Sequence, residues 1–242
     1  MLRGYVDEVF VSIQGEGPLV GTPMLFVRLG GCAAACEHCD TPRARTQLSQ
    51  FTVHGAIPEV LPNPIKVAAL TARTLPLLKP LPFLALTGGE PLEQPGFLSL
   101  LLTRLSEAGS RVLLETNGNY PRELAEVLPR TDVVAVDIKL PSFSGRPLNV
   151  DLTRQFLSVA ASKSCYVKVV VGTDTGDEEI MTAARLVATV DANIPFILQP
   201  RWDGGPPPLE YTGRLLDQAV RIFPLLNDVR VVPQLQRVLG VR

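Results

Sequence analysis

Three of the four cysteines of the 242-residue chain lie close together, as Cys32, Cys36 and Cys39. Thiolates gathered in this way are typical ligands of a soft metal centre, either zinc or an iron–sulfur cluster. A structural zinc ion takes four protein ligands, so three cysteines leave one position open. Zinc completed by His38 or by the distant Cys165 remains an alternative, although His38 would be strained beside Cys39. The spacing favours an iron–sulfur cluster with one iron free for chemistry.

Polar residues that precede the cysteines form a second group. Gln14 and Glu16 lie in a turn marked by glycine and proline, where an amide and a carboxylate could read the polar edge of a heterocycle. From the residues alone, a solvated loop is the more common explanation. Arg28 interrupts an apolar segment, so it must either pair with an acid or face a cavity, where its planar guanidinium suits a carboxylate.

Later polar residues follow further apolar segments. They are the Gly-Gly-Glu-Pro run at 88–91, the Glu-Thr-Asn-Gly run at 115–118, the pair Asp137 and Lys139, and then Lys168 and Gln199. Each run could be an ordinary turn, and Asp137 with Lys139 could be a salt bridge on one strand face. Paired glycines also let a ligand approach the backbone closely. We interpret these residues as one rim around a binding site.

A regular alternation of strands and helices must position this rim. Apolar and β-branched runs predict strands at 6–13, 24–29, 83–87, 111–116, 133–138, 165–171, 194–198 and 229–232. Helical patterns occur at 65–78, 98–107, 121–128, 152–161, 178–190 and 209–222. Such alternation indicates a parallel sheet with right-handed crossovers. Six strands counted from Met24, without the last short one at 229–232, predict an α/β fold, a partial (β/α)6 TIM-like barrel with an N-terminal strand extension.

Composition narrows the class of protein. With 46% hydrophobic and 19% charged residues, the chain is a globular protein, and its net charge of −1 offers no basic surface for nucleic acid. No secretion signal or membrane-spanning segment is visible. Clustered cysteines do not suggest disulfides and favour a cytoplasmic location. We expect one domain over residues 1–242, with 42–82 as a variable insertion and crossover region.

The cysteine spacing, with His38 before the last cysteine, resembles the signature of radical S-adenosylmethionine enzymes. The Gly-Gly-Glu-Pro run is similar to the second motif of that superfamily. Within it, the segments 12–17, 21–23, 26–32 and 39–41 resemble the 7-carboxy-7-deazaguanine synthase family. This resemblance extends over essentially the whole chain and is weakest at 42–82.

The resemblance implies roles for particular residues. Cys32, Cys36 and Cys39 would bind a 4Fe-4S cluster, and Thr41 would bind Mg²⁺. S-adenosylmethionine would be held by His38, Cys39, Asp40, Gly89, Glu90, Glu115, Thr116, Asp137, Ile138 and Lys139. The substrate would be held by Ile13, Gln14, Gly15, Glu16, Arg28 and Thr87.

The resemblance also implies an activity. Such an enzyme is a carbon–nitrogen lyase that converts 6-carboxy-5,6,7,8-tetrahydropterin to 7-carboxy-7-deazaguanine by radical ring contraction with loss of ammonia. The product feeds queuosine and 7-deazapurine biosynthesis. The cluster and S-adenosylmethionine carry the chemistry, so no side chain is assigned a catalytic role. A homodimer reduced by a donor such as flavodoxin is expected, with no nucleic-acid or membrane partner.

One region departs from the family pattern. Gln236 and Arg237 stand where the family commonly has a histidine–lysine pair, and the chain ends in Gly240-Val241-Arg242, where some members use a proline. Two other functions remain open from the sequence. One is a glycyl-radical-enzyme activase acting on a protein partner, and the other is a non-catalytic metal-binding module.

Overall fold

The computed structural model describes residues 2–205 and 207–242. Its strands are β1 (Arg3–Gly4), β2 (Val6–Ile13), β3 (Pro23–Leu29), β4 (Gln50–His54), β5 (Glu59–Pro62), β6 (Ile65–Lys66), β7 (Phe83–Gly88), β8 (Arg111–Thr116), β9 (Val133–Asp137), β10 (Ser164–Val171), β11 (Phe196–Pro200) and β12 (Val229–Val231). Its α-helices are α1 (Val67–Leu78), α2 (Pro95–Leu105), α3 (Pro121–Val127), α4 (Pro141–Ser144), α5 (Val150–Ala160), α6 (Asp177–Val190), α7 (Leu209–Ile222) and α8 (Leu235–Leu239). None of the described helices is long and apolar enough to cross a membrane.

Ten of the strands form one sheet, in the order β12-β11-β10-β9-β8-β7-β3-β2-β4-β5. All neighbours from β12 to β3 are parallel, as expected for strands joined through crossover helices. The strand β2 then runs antiparallel to β3, which makes it the predicted N-terminal extension. The α/β fold and its mostly parallel sheet are therefore confirmed.

The two faces of the sheet bury different residues. One face packs Leu25, Val27 and their neighbours against the helices in the larger core cluster, which includes Leu98 of α2 and Phe156 of α5. The alternate side chains form a smaller cluster that contains the stacked rings of Phe10 and Phe26. Since both faces are covered, the parallel strands read as continuous apolar runs. The smaller cluster is the wall against which the polar rim lies.

The region 42–82 differs from the expectation in detail. The predicted crossover helix is present as α1, but β4 and β5 pair with each other and extend the sheet beyond β2. The sequence did not predict these strands because they are short and surrounded by prolines, and an edge strand tolerates a proline such as Pro62. The strands β4 and β5 therefore form the edge of the sheet beyond β2.

The antiparallel pairing of β2 and β3 decides how the chain reaches the rim. The cysteines follow Leu29, whereas Ile13 pairs with Pro23 at the opposite end of the hairpin. The turn at 14–17 therefore enters the interior from the end of the sheet that lies opposite the cysteine loop. It crosses the face lined by the smaller cluster, with Gly17 directly against the ring of Tyr166.

Candidate active site

The loop that carries the cysteines is tied to its surroundings through backbone groups. Gly31 N donates to Ala44 O at 2.8 Å, and Glu90 N donates to Gly31 O at 2.8 Å. A Cβ atom on Gly89 would lie 2.1 Å from Gly31 O, so only glycine allows this close approach. The loop and the turn after β7 are thus held as one rigid unit.

All three cysteines of the loop carry free thiols. Burial raises the pKa of Cys32 and of Cys36. Cys36 packs against Phe143 and Val170. In the part of the chain that the structure describes, no three His, Cys, Asp or Glu side chains converge on a single-ion site. A cluster needs no such convergence, because each thiolate binds a different iron.

A cavity of about 300 Å³ opens beside the three cysteines. Its lining brings together residues from every part of the predicted rim except Gln199. The predicted site residues on its wall are Ile13, Gln14, Gly15, Glu16, Arg28, Cys32, Cys36, Cys39, Asp40, Thr41, Thr87, Gly89, Glu115, Thr116, Asp137 and Lys139. Residues more than a hundred positions apart in sequence therefore share one chamber.

Three predicted residues are not among those that line this cavity. His38 lines an adjoining cavity of about 460 Å³, together with Arg201 and Trp202. Ile138 is buried in the main core. Glu90 is fully buried, and its carboxylate accepts hydrogen bonds from Leu92 N, Thr116 Oγ1 and Asn117 N at 2.8–3.0 Å.

Glu90 therefore ties the ends of β7 and β8 together. Burial raises its pKa to about 7, against the opposing effect of these hydrogen bonds. Glu90 does not line the cavity, so its role in binding S-adenosylmethionine stays a prediction.

The residues predicted to bind substrate are linked to one another. Gln14 Nε2 donates to Glu115 Oε1 and Thr87 Oγ1 donates to Glu115 Oε2, each at 2.8 Å. Arg28 Nε donates to Glu8 Oε1 at 3.1 Å, which orients the guanidinium at the cavity wall. Glu115 was predicted to bind the ribose of S-adenosylmethionine, but here its carboxylate is engaged with two residues of the substrate group.

A buried ionic network crosses the floor of the cavity. Lys168 Nζ contacts Glu16 Oε2 and also Asp137 Oδ2, the latter at 3.0 Å. Lys139 Nζ approaches the same Asp137 oxygen at 2.9 Å and lies 4.6 Å from the centre of the Phe143 ring. Burial alone would raise the pKa of Glu16, but the charge of Lys168 brings it well below its usual value. Glu16 is therefore a permanent anion.

The C-terminal segment 234–242 closes over the turn at 14–17. Leu235 N donates to Gly15 O at 2.9 Å, and the side chains of Gln234 and Gln236 both donate to Glu16 Oε1, at 2.9 and 3.0 Å. Arg242 Nη1 donates to Glu8 Oε2 at 2.7 Å. The glutamine that departs from the family pattern thus contacts a predicted substrate residue.

Several residues of this site had no predicted role. The sequence places Lys168 and Gln199 near strand ends and gives no role to Gln234 or Arg201; of these four residues, Gln199 alone is absent from the lining of both cavities. Gln199 is fully buried, and its amide has no hydrogen-bond partner among the described residues. For Lys168 and Gln199 the available signal was the one used for Arg28, a polar side chain inside an otherwise apolar strand.

The lining has the chemistry needed for a cluster and an amino-acid nucleoside. Free thiols of three cysteines face the chamber, and an open iron would bind an amine and a carboxylate. Two buried lining atoms, Asn117 Nδ2 and Asp137 Oδ1, have no hydrogen-bond partner within residues 2–205 and 207–242. Buried polar groups are normally paired, so a donor and an acceptor left over beside the cysteines suit a polar ligand.

Comparison with known proteins gives consistent matches. The model of the Radical SAM superfamily matches residues 26–187. A 7-carboxy-7-deazaguanine synthase of Geobacter sulfurreducens is 34% identical, with 97% of this chain and 96% of that protein covered. The protein of the same name from Methanopyrus kandleri is 35% identical, with coverages of 96% and 92%.

Solved structures agree on the fold. QueE from Escherichia coli superimposes with a TM-score of 0.66 at 23% identity, covering 97% of this chain and 95% of that chain. SuiB of Streptococcus suis bound to S-adenosylmethionine gives a TM-score of 0.57 at 16% identity, covering 83% and 45%. These likenesses establish a shared architecture.

Proposed function

The chain belongs to the 7-carboxy-7-deazaguanine synthase family of the radical S-adenosylmethionine superfamily, and we propose that it converts 6-carboxy-5,6,7,8-tetrahydropterin to 7-carboxy-7-deazaguanine. One observation supports this most directly: a single cavity joins Cys32, Cys36 and Cys39 to the polar group of Gln14, Glu16 and Arg28. This combination brings a radical source within reach of a small heterocycle that carries a carboxylate.

Cys32, Cys36 and Cys39 would hold the 4Fe-4S cluster, and the Gly88-Gly89 turn, Asn117 and Asp137 would hold S-adenosylmethionine. A bound and reduced cluster would supply the one electron needed to cleave the carbon–sulfur bond of S-adenosylmethionine, which would leave methionine and a 5′-deoxyadenosyl radical. The role of the surrounding residues is to position the ligands and to keep water out. His38 and Trp202 of the adjoining cavity extend the nucleoside side.

Substrate recognition falls to the opposite wall. Arg28 would bind the substrate carboxylate. Glu8 accepts a hydrogen bond from Arg28 Nε and so holds the guanidinium in place, which leaves the in-plane N–H groups of its other edge for an anion. Gln14 and Glu16 would read the pterin edge, where an amide and a permanent carboxylate match its acceptors and donors. The stacked rings of Phe10 and Phe26 supply an apolar surface beside them.

Magnesium would bind at Thr41, whose side chain lines the cavity one residue from Asp40. Mg²⁺ commonly keeps several waters and takes only one or two protein ligands together with substrate oxygens. A single hydroxyl beside the substrate carboxylate meets that requirement. The ion would order the negative charge of the substrate during the ring contraction.

The partners that we propose follow from the same site. An electron donor such as flavodoxin would approach the cysteine loop, where Glu37 and His38 are exposed. We propose a cytoplasmic homodimer that acts on a small molecule and needs no nucleic acid or membrane.

The deciding experiment is an anaerobic assay of the reconstituted enzyme with 6-carboxy-5,6,7,8-tetrahydropterin, S-adenosylmethionine and a reductant, with and without Mg²⁺. We expect 7-carboxy-7-deazaguanine as product and a lower rate when Mg²⁺ is removed. Cys36→Ala should abolish S-adenosylmethionine cleavage, because one cluster ligand is lost. Absence of the product from fully loaded enzyme would refute the synthase assignment.

The same assay separates the two alternatives. A glycyl-radical-enzyme activase would cleave S-adenosylmethionine but leave the pterin unchanged. A non-catalytic module would contain zinc alone and remain colourless after anaerobic reconstitution. The buried polar group formed by Gln14, Glu16 and Arg28 favours a small heterocycle over a protein partner.

A further inference from the structure

Lys168 occupies a position that the proposed roles do not explain. It lies in β10, in register with Asp137 of β9, and 9% of its surface is exposed. A buried ammonium is costly unless it is paired. Lys168 is paired twice, with Glu16 on one side and Asp137 on the other.

These two carboxylates belong to different ligand groups. Glu16 comes from the turn after β2 and is shared with Gln234 and Gln236 of the C-terminal segment. Asp137 comes from the end of β9 and keeps one buried oxygen, Oδ1, without a partner among the described residues. The Lys168 ammonium is the group that touches both.

The surroundings of Lys168 favour its charged form. Burial would lower its pKa, but the carboxylates of Asp137, Glu16 and Glu115 raise the pKa well above the usual value. The paired ammonium is therefore treated as a cation held between two carboxylates. Its effect is geometric and electrostatic, because a movement of either carboxylate changes the position of the ammonium for the other.

We propose that Lys168 is a positioning residue that couples the two halves of the cavity, so that binding at the nucleoside side strengthens binding at the substrate side. Occupation of Asp137 by a hydroxyl donor would fix the Asp137–Lys168 pair. This in turn holds Glu16 in the orientation that reads the substrate. The inference rests on the proposed function for the identity of the second ligand.

Equilibrium binding to the reconstituted enzyme tests this coupling. The cluster is kept oxidised, so S-adenosylmethionine is not cleaved, and its Kd is measured by anaerobic dialysis with and without saturating 6-carboxy-5,6,7,8-tetrahydropterin. Coupling free energies between sites commonly correspond to factors of about 5–150. We expect the pterin to lower the Kd at least about fivefold in the wild type and less than about twofold in Lys168→Met.

Two further variants define the result. Lys168→Arg keeps the charge and should retain most of the coupling, whereas Lys163→Met, at an exposed lysine, should behave as the wild type. Unchanged coupling in Lys168→Met would overturn the proposal. Equal weakening of both ligands with the coupling factor preserved would also overturn it, because that pattern indicates a purely structural role.

A separate measurement remains informative if Lys168→Met does not fold or the pterin is not the substrate. Glu16→Gln removes the charge on the substrate side of the network without touching Asp137. We expect it to weaken S-adenosylmethionine binding about threefold or more with no pterin present. An unchanged Kd would contradict the coupling, whereas failure of the pterin alone to bind would count only against the proposed substrate.

Discussion

At the scale of single residues, Glu115 lies where the two proposed ligand groups of the cavity meet. Both of its oxygens accept hydrogen bonds from Gln14 and Thr87, which lie in the substrate group. Burial and the nearby charge of Glu16 raise the pKa of Glu115. A ribose-binding role would use the second acceptor site of one of these oxygens, whereas a positioning role needs only the contacts observed.

Replacement of Glu115 separates these two roles. Glu115→Ala leaves the buried groups of Gln14 and Thr87 without their acceptor, and such a loss costs about 1–3 kcal/mol. We expect KM for the pterin to rise about tenfold, while the Kd for S-adenosylmethionine changes less than about twofold.

Steady-state kinetics gives KM for the pterin, and anaerobic dialysis gives the Kd for S-adenosylmethionine. Glu126→Ala, at an exposed position on α3, serves as the control and should alter neither. A larger loss of S-adenosylmethionine affinity than of pterin affinity would instead support the ribose assignment.

The residues of this site are easier to predict from the sequence than the contacts that they make with one another. The cysteine spacing and the polar strand ends identified the cysteines and the rim residues, because both patterns are local, whereas Ile13, Gly15, Asp40 and Thr41 came from the resemblance to the family. The pairing of Lys168 with Glu16 joins positions 152 residues apart. No local pattern encodes such a contact, so it becomes visible only once β10 and the turn at 14–17 meet.

At the scale of elements, the turn after β7 supports the cysteine loop. Gly88 has φ of +134° and lies against the backbone of Leu29, and Gly89 lies against Gly31 O and Ala44 O. Strand prediction placed this turn correctly at the end of β7. Its tight contact with the loop depends on three separate segments and could not be inferred from the glycine pair alone.

Gly89→Ala is a direct test of this support. The new Cβ would lie 2.1 Å from Gly31 O and 2.5 Å from Ala44 O, which are backbone atoms that cannot rotate away. Overpacking of this kind costs about 1–3 kcal/mol. We expect a lower unfolding free energy by that amount and less iron per chain after reconstitution.

Urea unfolding and iron analysis measure both effects. Gly205→Ala is the matched control, since a Cβ there would meet no atom of the described residues within 4 Å. Iron content and stability equal to the wild type in Gly89→Ala would show that the loop does not depend on this contact.

At the scale of the whole molecule, α7 carries apolar residues on two sides. Leu215 and Ile222 are buried against the sheet, while Leu209, Leu216, Val220 and Phe223 are 52–91% exposed. Together with the exposed Gly213, these residues occur at alternating intervals of four and three positions along the chain. This spacing is typical of the stripe along which two helices pack against each other. A patch of this kind on a globular protein commonly marks an interface.

We expect α7 of a second copy to cover this seam in the proposed homodimer. Leu216→Glu would place a charge at its centre and should convert the dimer to a monomer in light-scattering measurements. Val60→Glu, on the exposed edge strand β5, serves as the control and should still give the molecular mass of a dimer. A monomeric wild type, or a dimeric Leu216→Glu, would exclude α7 as the interface.

The antiparallel strand β2 has a consequence for how such enzymes diverge. The parallel strands carry the cysteines, the Gly88-Gly89 turn and Asp137, whereas Gln14, Glu16 and the segment 234–242 come from the two ends of the chain. Because Lys168 joins Glu16 to Asp137, a mutation at Glu16 would reach the nucleoside side of the cavity as well as the substrate side. A change of the recognised molecule that begins at the ends of the chain would therefore have to preserve this buried contact.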